Sequence, residues 1–452
     1  MTQFNTMSTT TPRHSNKPKA PSSKPRSAEG SASPQPTGSG ENGRTLLSRR
    51  QLLFGAVGVG AVAAIGIGVA TRGGGVFDDG GGDVPVLKVP NSAVTALADF
   101  EALESYEGKV EVVNEVDVPY GTLVWMNDDS VAACLLPTSE GSPLTQAALL
   151  DLGSDEPRTV LEQAIGFNEN FEIYDMRATS KGLVWTEANV LKGAWRIYSA
   201  LDSADVPASA TLLEEGDSTY ETPTIAAVGD RVFWQVLPKD PNPDKLSSKL
   251  MAATMGKNDA ACVYESARRM GTPIYAGQDS VTITPRLDRA TAYYQLTNIN
   301  ASTGSVTDQM TLPGSMSPLD AGYGDTGFMF SFPDIYNFGD GISNLGTYVP
   351  MSNPNGDYDN AKWFGFARTP TAPPCWCNGT LVMKSTRAVC GVDLQNRTYY
   401  AIDVDDGADT YGEYLATTGS HSRFVTYTNI DHSPIEGKST HACRIKVWRT
   451  LS

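Results

Sequence analysis

The sequence predicts an all-β fold, a β-propeller preceded by one N-terminal transmembrane helix and a disordered tail. Three observations predict it. From about Lys109 onward, short β-type runs alternate with turns rich in Gly, Asp, Asn and Pro. Within those runs a glycine or turn, then a hydrophobic stretch often ending in an aromatic, recurs at a near-constant step. Upstream, the nineteen residues Leu52–Ala70 are all Leu, Phe, Ala, Val, Ile or Gly.

Residues 1–47 are dominated by Ser, Thr, Pro, Lys and Gly and bury almost nothing, so they cannot offset the entropy lost on ordering. As a helix rising about 1.5 Å per residue, Leu52–Ala70 spans roughly 28 Å, near the hydrocarbon thickness of a bilayer. A helix suits that medium because it satisfies its own backbone hydrogen bonds. A buried soluble helix of this length would carry a polar face, and this run has none. Just before it, Ser48-Arg49-Arg50-Gln51-Leu52-Leu53 resembles the bacterial twin-arginine export signal. Ser48, Arg49, Arg50 and Leu53 match that pattern, whereas Leu52 and Phe54 replace its Phe and Lys. The alternative is general secretion, with the two arginines holding the N-terminus inside. The segment 48–71 is then a retained anchor, or a signal cleaved after the small residues Gly68-Val69-Ala70.

Residues 72–83, RGGGVFDDGGGD, read as a flexible glycine-rich linker to a body over 84–452. Val84–Val89 reads as a short strand. Asn91–Tyr106 reads as a helix, with Val94, Leu97, Ala98 and Leu103 at helical spacing. The repeat follows: Gly121–Trp125, Gly182–Trp185, Gly229–Trp234, Gly277–Ile283, Gly327–Phe330, Gly379–Met383 and His421–Tyr427. Their last residues are separated by 60, 49, 49, 47, 53 and 44 positions. Seven units near fifty residues is a propeller period, and later strand candidates such as Ala194–Asp202, Lys249–Gly256, Thr291–Leu296, Arg387–Asp393 and Ala442–Thr450 supply further strands for each blade. Seven blades are expected, with six or eight as alternatives and tandem β-sandwiches as the rival architecture.

In this period and strand rhythm, residues 109–452 resemble the seven-bladed propeller superfamily (WD40-like or TolB-like). The G-H…W-D signature of WD40 repeats is missing, so the resemblance implies a fold and no site residues. The chain ends soon after the third strand of the last unit. Val84–Val89 is the expected donor of its outer strand, with Asn91–Tyr106 as connector, which would remove two exposed sheet edges.

The charge is divided. Residues 1–50 carry 8 basic and 2 acidic side chains, whereas residues 73–452 carry 26 basic and 49 acidic. The basic end is expected in the cytoplasm and the acidic body outside, on a bacterial cell membrane or secreted. An acidic body repels phosphate, which argues against nucleic acid.

All six cysteines follow the apolar run, and an even number in an exported body is compatible with disulfides. Cys375, Cys377, Cys390 and Cys443 are the candidates, with Cys375 or Cys377 reaching Cys390 or Cys443; free thiols and a metal site are the alternatives. His421, His432 and His441 are the histidines of the body, and His441 and Cys443 fall on one strand face. Asp403, Asp405 and Asp409 surround Gly407 like a weak calcium loop, without the bidentate Glu such a loop requires. The turn Asn353–Asp359 is a second acidic candidate, although solvated turns account for both. No H-E-x-x-H, G-x-S-x-G or phosphate-binding loop occurs, and no cofactor is expected. The expected role is a membrane-tethered scaffold binding a protein, peptide or glycan. The alternative is an extracytoplasmic hydrolase or lyase with paired carboxylates at the propeller funnel.

Overall fold

Antiparallel sheets built on four strands make up the body in a computed structural model; two of them gain short parallel strands, and the last takes its outer strand from upstream in the chain. The structure describes residues 84–451, except 240–245, 267, 333–340, 343–345, 353–355, 368–371 and 432–440. The tail, the anchor segment and the linker expected at 1–47, 48–71 and 72–83 lie outside the described residues, as does His432. Among the described residues no helix is long and apolar enough to cross a membrane.

Seven sheets follow one another along the described chain. The first four hold Leu123–Leu161, Glu172–Gly216, Ile225–Ser266 and Tyr275–Thr311. The last three are built on Asp320–Phe366, Cys375–Ala401 and Tyr414–Thr450. Strands alternate small or branched apolar residues on both faces, because each sheet is covered by a neighbour on either side. Gly182–Asn189, for example, is buried at every position. Seven apolar clusters fill the seams. Leu135, Leu149, Leu183 and Trp185 join the first sheet to the second, and Ile197, Trp234 and Ala253 join the second to the third. Phe233 and Ile283 join the third to the fourth, Leu296 and Phe330 the fourth to the fifth, and Phe364 and Leu381 the fifth to the sixth. Val382 and Trp448 join the sixth to the seventh, and Ile445, Val447 and Ala132 join the seventh back to the first. The circuit closes on itself, so the fold is a β-propeller.

Six of the seven sequence landmarks lie on the second strand of their sheet. The first, Gly121–Trp125, lies on a first strand, Leu123–Trp125. The equivalent second strand is Val131–Pro137, VAACLLP, which has no aromatic to mark it, and this explains the long first step of 60. At the sixth landmark Asn378 and Gly379 have φ of 47° and 80°, the left-handed pair that lets a two-residue turn follow the strand twist.

Two expectations for the N-terminal segment are corrected. Asn91–Tyr106 is not a helix. It holds 3-10 turns at Asn91–Ala93 and Leu97–Asp99 between short strands at Val94–Ala96 and Glu101–Ala102. Val94–Ala96 pairs in parallel with Lys362–Phe366 of the fifth sheet, and Glu101–Ala102 with Thr398–Ala401 of the sixth. Isolated helices of this length are marginal, and two open sheet edges offer the backbone a better ladder. Nor is Val84–Val89 the closing strand: Leu87 N–H donates to Thr311 O (2.8 Å), at the outer strand of the fourth sheet. The last sheet takes its outer strand from Val110–Pro119, antiparallel to Ala442–Thr450. That stretch is longer. It buries Val116 and Val118 and turns Glu111, Glu115 and Asp117 toward Arg449 and Arg444, whereas Val84–Val89 is broken by Pro85 and followed by Pro90. Residues 87–119 therefore run as a strap past the outer edges of four consecutive sheets.

Candidate functional site

An up-and-down sheet sends its turns to two ends. The links between successive sheets and the second-to-third-strand turns share one end, here called the upper end; the remaining turns share the lower end. At the lower end the axis is bridged. Asn127 Nδ2 donates to Ala227 O, joining the first sheet to the third. Gly419 N–H donates to Tyr275 Oη (2.7 Å), which itself donates to Pro374 O (2.9 Å), joining the seventh, fourth and sixth sheets. Met126 pairs with Thr417, and Ser420–His421 adds in parallel to Cys375–Cys377. Bonds between sheets that are not neighbours cross the axis at this end.

Buried charge gathers near the upper end of the sixth and seventh sheets. Glu413 is fully buried, with Oε1 3.4 Å from Lys446 Nζ and Oε2 without a hydrogen bond among the described residues. Burial raises its carboxyl above the usual range, opposed by the Lys446 charge. Lys446 also donates to Asp405 Oδ1, and Arg444 reaches Asp405 Oδ2 (3.3 Å) and Asp117 Oδ1 (2.9 Å). Lys384 Nζ donates to the carbonyls of Tyr411 (2.7 Å) and Arg387 (2.9 Å), and burial brings it down to about 8 against the pull of Glu413 and Asp409. The cluster pins the link between the two sheets to their upper turns.

On the second sheet the fully buried Glu187 accepts the N–H groups of Ile165 and Gly166 and of the Trp185 indole, and two partly buried acids sit on other strands. Asp175, in the inner strand of the second sheet, pairs with Arg177, whose guanidinium lies 4.4 Å over the Trp125 ring; burial raises the Asp175 carboxyl. Asp320 begins the inner strand of the fifth sheet, 3.4 Å from Ser331 Oγ, and burial pushes it up to about 6. Its folded form holds the proton more tightly than the unfolded chain, so stability falls as pH rises from about 4 to 6. Asp320→Asn removes that loss. The variant is expected to match the parent near pH 3.5 and to exceed it by about 1–2 kcal/mol at pH 7, read by urea unfolding at several pH values.

The sequence-predicted residues are dispersed. Cys375 and Cys377 share a face of their strand and enter the seam to the seventh sheet. The register Cys375–Val382–Gly391 turns Cys390 to the opposite face, toward the fifth sheet. Cys443 likewise faces the first sheet, away from the sixth. The strand register thus separates the candidate disulfide partners. His421 Nε2 lies 2.8 Å from Thr418 O and its Nδ1 3.6 Å from Asp129 at the lower end, whereas His441 stacks on Tyr120 at 4.1 Å near the upper end. Asp405 is engaged by Lys446 and Arg444. Asp409 Oδ1 accepts the backbone N–H of Tyr411 (2.8 Å), and Asp403 lies in the same link. Of the second acidic turn, Asp359 accepts Lys88 N–H (2.9 Å). Among the described residues no three His, Cys, Asp or Glu side chains form a metal-holding group.

Sequence reasoning missed a groove at the upper end of the second sheet. It is about 540 Å³ and lined by Phe171, Trp195, Arg196, Glu215, Asp217 and Tyr220 among others. Gly216 forms its wall because a Cβ there would sit 2.2 Å from Trp195 Cζ2. Trp195 is buried, and its indole N–H has no partner among the described residues, which costs about 1–3 kcal/mol. Exposed apolar side chains stand on turns of the same end: Leu144, Ile165, Val190, Leu191 and Tyr220. The turn at Val190-Leu191 looked like any hairpin in the sequence; only its exposure, 99% at Leu191, distinguishes it.

No family of known proteins matches the sequence, and no curated protein does. Solved structures resemble it at low identity. A prolyl endopeptidase matches 70% of this chain at 10% identity and TM-score 0.45; the chain spans under half of it, 46%. The β-propeller domain of the Trilobed protease from Pyrococcus furiosus matches at 8% identity and TM-score 0.43, covering 76% of this chain and 98% of that one. An oligogalacturonate lyase in complex with manganese matches at 10% identity and TM-score 0.41, covering 75% and 97%. At these identities the likeness extends to the fold and no further.

Proposed function

We propose that this chain is a binding scaffold outside the bacterial cell membrane. The anchor is Leu52–Ala70, exported through Ser48, Arg49, Arg50 and Leu53, and the seven sheets act as seven blades of one ring. The uncharged run, the basic end before it and the acidic body after it support the tether. The seam clusters that return from the seventh sheet to the first support the blade number.

The observation that carries the binding role is the upper end of the first two sheets. Large apolar side chains exposed on turns of the end that also holds the groove are costly to leave in water and typical of a protein contact. The hydrolase or lyase reading needs two carboxylates converging in an open site. The enclosed carboxylates Asp175, Glu187, Asp320 and Glu413 are instead each held by other partners: Arg177, the Ile165 and Gly166 N–H groups, Ser331 and Lys446 respectively. The test places a photo-crosslinking residue at Leu191 or at Leu201, an exposed apolar position of the lower end. Capture of the same membrane-associated protein from Leu191, absent from Leu201 and abolished by Val190→Asp, is the expected result. Equal capture from both positions would overturn it.

A further inference from the structure

We infer that the groove on the second sheet receives a cationic, extended segment of the partner protein, an inference that rests on the binding role just proposed. The charge of the groove is lopsided. Its single guanidinium, Arg196, turns inward: it lies 4.4 Å over the Phe171 ring and donates to Glu169 Oε2 (2.8 Å) and Glu215 Oε2 (3.4 Å). The Arg196 side chain is only 20% exposed, whereas those of Glu169 and Glu215 are 62% and 63% exposed. The two carboxylates thus hold the arginine from below and keep their outer faces for solvent. The Arg196 hydrogen bond, with its charge, holds the Glu169 carboxyl below its ordinary range, so it stays ionised. Asp217 adds a third carboxylate, fixed by the backbone N–H of Thr219 (2.8 Å). Three acids against the inward Arg196 and the neighbouring Lys192 leave a net negative rim beside the half-exposed Tyr220 ring. An ammonium or guanidinium group is attracted both to such carboxylates and to an aromatic face.

The backbone favours an extended occupant. Thr211–Gly216, which supplies Glu215 and Gly216 to the groove, is the outer strand of its sheet and has no further strand paired to it among the described residues. The fifth and sixth sheets have that position filled by the strap. A segment laid along Thr211–Gly216 would add as a strand. Its alternate side chains would reach the acidic rim, and its apolar ones the exposed Val190 and Leu191 at the neighbouring turn.

The test uses the full chain and fluorescein-labelled ten-residue peptides, one of alternating Lys and Leu and one of alternating Glu and Leu, followed by anisotropy. The Lys-Leu probe is expected to bind and to weaken about tenfold in E215K/D217K. A lower-end control, D155K/E156K, changes the net charge equally and is expected to leave binding within about twofold. Equal losses in both variants would mean diffuse attraction to an acidic body and would overturn the inference. So would equal binding of the Glu-Leu probe, or tighter binding of a neutral oligosaccharide. Because E215K/D217K breaks one Arg196 contact, V190S/L191S serves as a second variant and is expected to weaken the Lys-Leu probe several-fold. If the Leu191 crosslink persists in E215K/D217K, the cationic-segment inference fails while the docking face stands.

Discussion

Replacing Lys446 by Met is expected to destabilise the protein by about 3–5 kcal/mol, measured by urea unfolding at pH 7.5. The ammonium sits between Asp405 and Glu413, with little solvent to replace it once removed. Asp405 would retain Arg444 as a partner, but Glu413 would be a buried, uncompensated carboxylate with both oxygens poorly satisfied. The size of the loss therefore lies in what is left behind rather than in the attraction removed. Two consequences distinguish this from lost packing. Adding Glu413→Gln to Lys446→Met should restore more than half of the stability. The deficit should also shrink as pH falls, because burial already favours the protonated form of Glu413 in the fold. A deficit below about 1 kcal/mol, or one indifferent to both changes, would remove the cluster from its structural role.

A chain beginning at Tyr120 is expected not to unfold cooperatively at all, whereas one beginning at Glu107 should fold with a melting temperature lowered by several degrees. The first truncation deletes Val110–Pro119. It opens the long edge of Ala442–Thr450 and strips Val116 and Val118 from the seam between the seventh sheet and the first. It also leaves Arg444, buried in the charge cluster, without Asp117. The second keeps the closing strand and loses the strap over the fourth, fifth and sixth sheets, together with the Tyr106 ring packed edge-on against Trp448. The side chains lost with it are Leu87, Val89, Ala93 and Phe100, each Leu, Val or Phe contributing about 1.5–3 kcal/mol when fully buried. Scanning calorimetry on both fragments separates closure from edge protection; a cooperative transition in the shorter fragment would show that another strand closes the ring.

The all-β architecture and its repeat were legible because a strand covered on both faces must be apolar, and a turn that reverses it within two residues favours glycine. Gly182, Gly229, Gly327 and Gly379 mark the same hairpin in four sheets for that reason. The helical spacing over Asn91–Tyr106 misled because propensity is weak beside an open sheet edge, and no pattern within those residues shows that Lys362–Phe366 and Thr398–Ala401 need partners. The placement of the candidate disulfide partners was hidden for a related reason: a period of two decides which face a cysteine takes, but only the register Cys375–Val382–Gly391 shows that Cys390 is on the other one. The groove was not legible at all, since Phe171, Trp195 and Tyr220 are distant in sequence and meet only when the second sheet turns its upper end outward.

By itself, then, the sequence determined the class of secondary structure, its period and the division into a basic end, an apolar run and an acidic body, because each is a property of neighbours along the chain. Tertiary structure alone decided which segment closes the ring, which acids lie beside a buried cation and where a partner could settle. Those outcomes depend on hydrogen-bonding edges and desolvated charges brought together from positions up to hundreds of residues apart, such as Asp117 and Arg444.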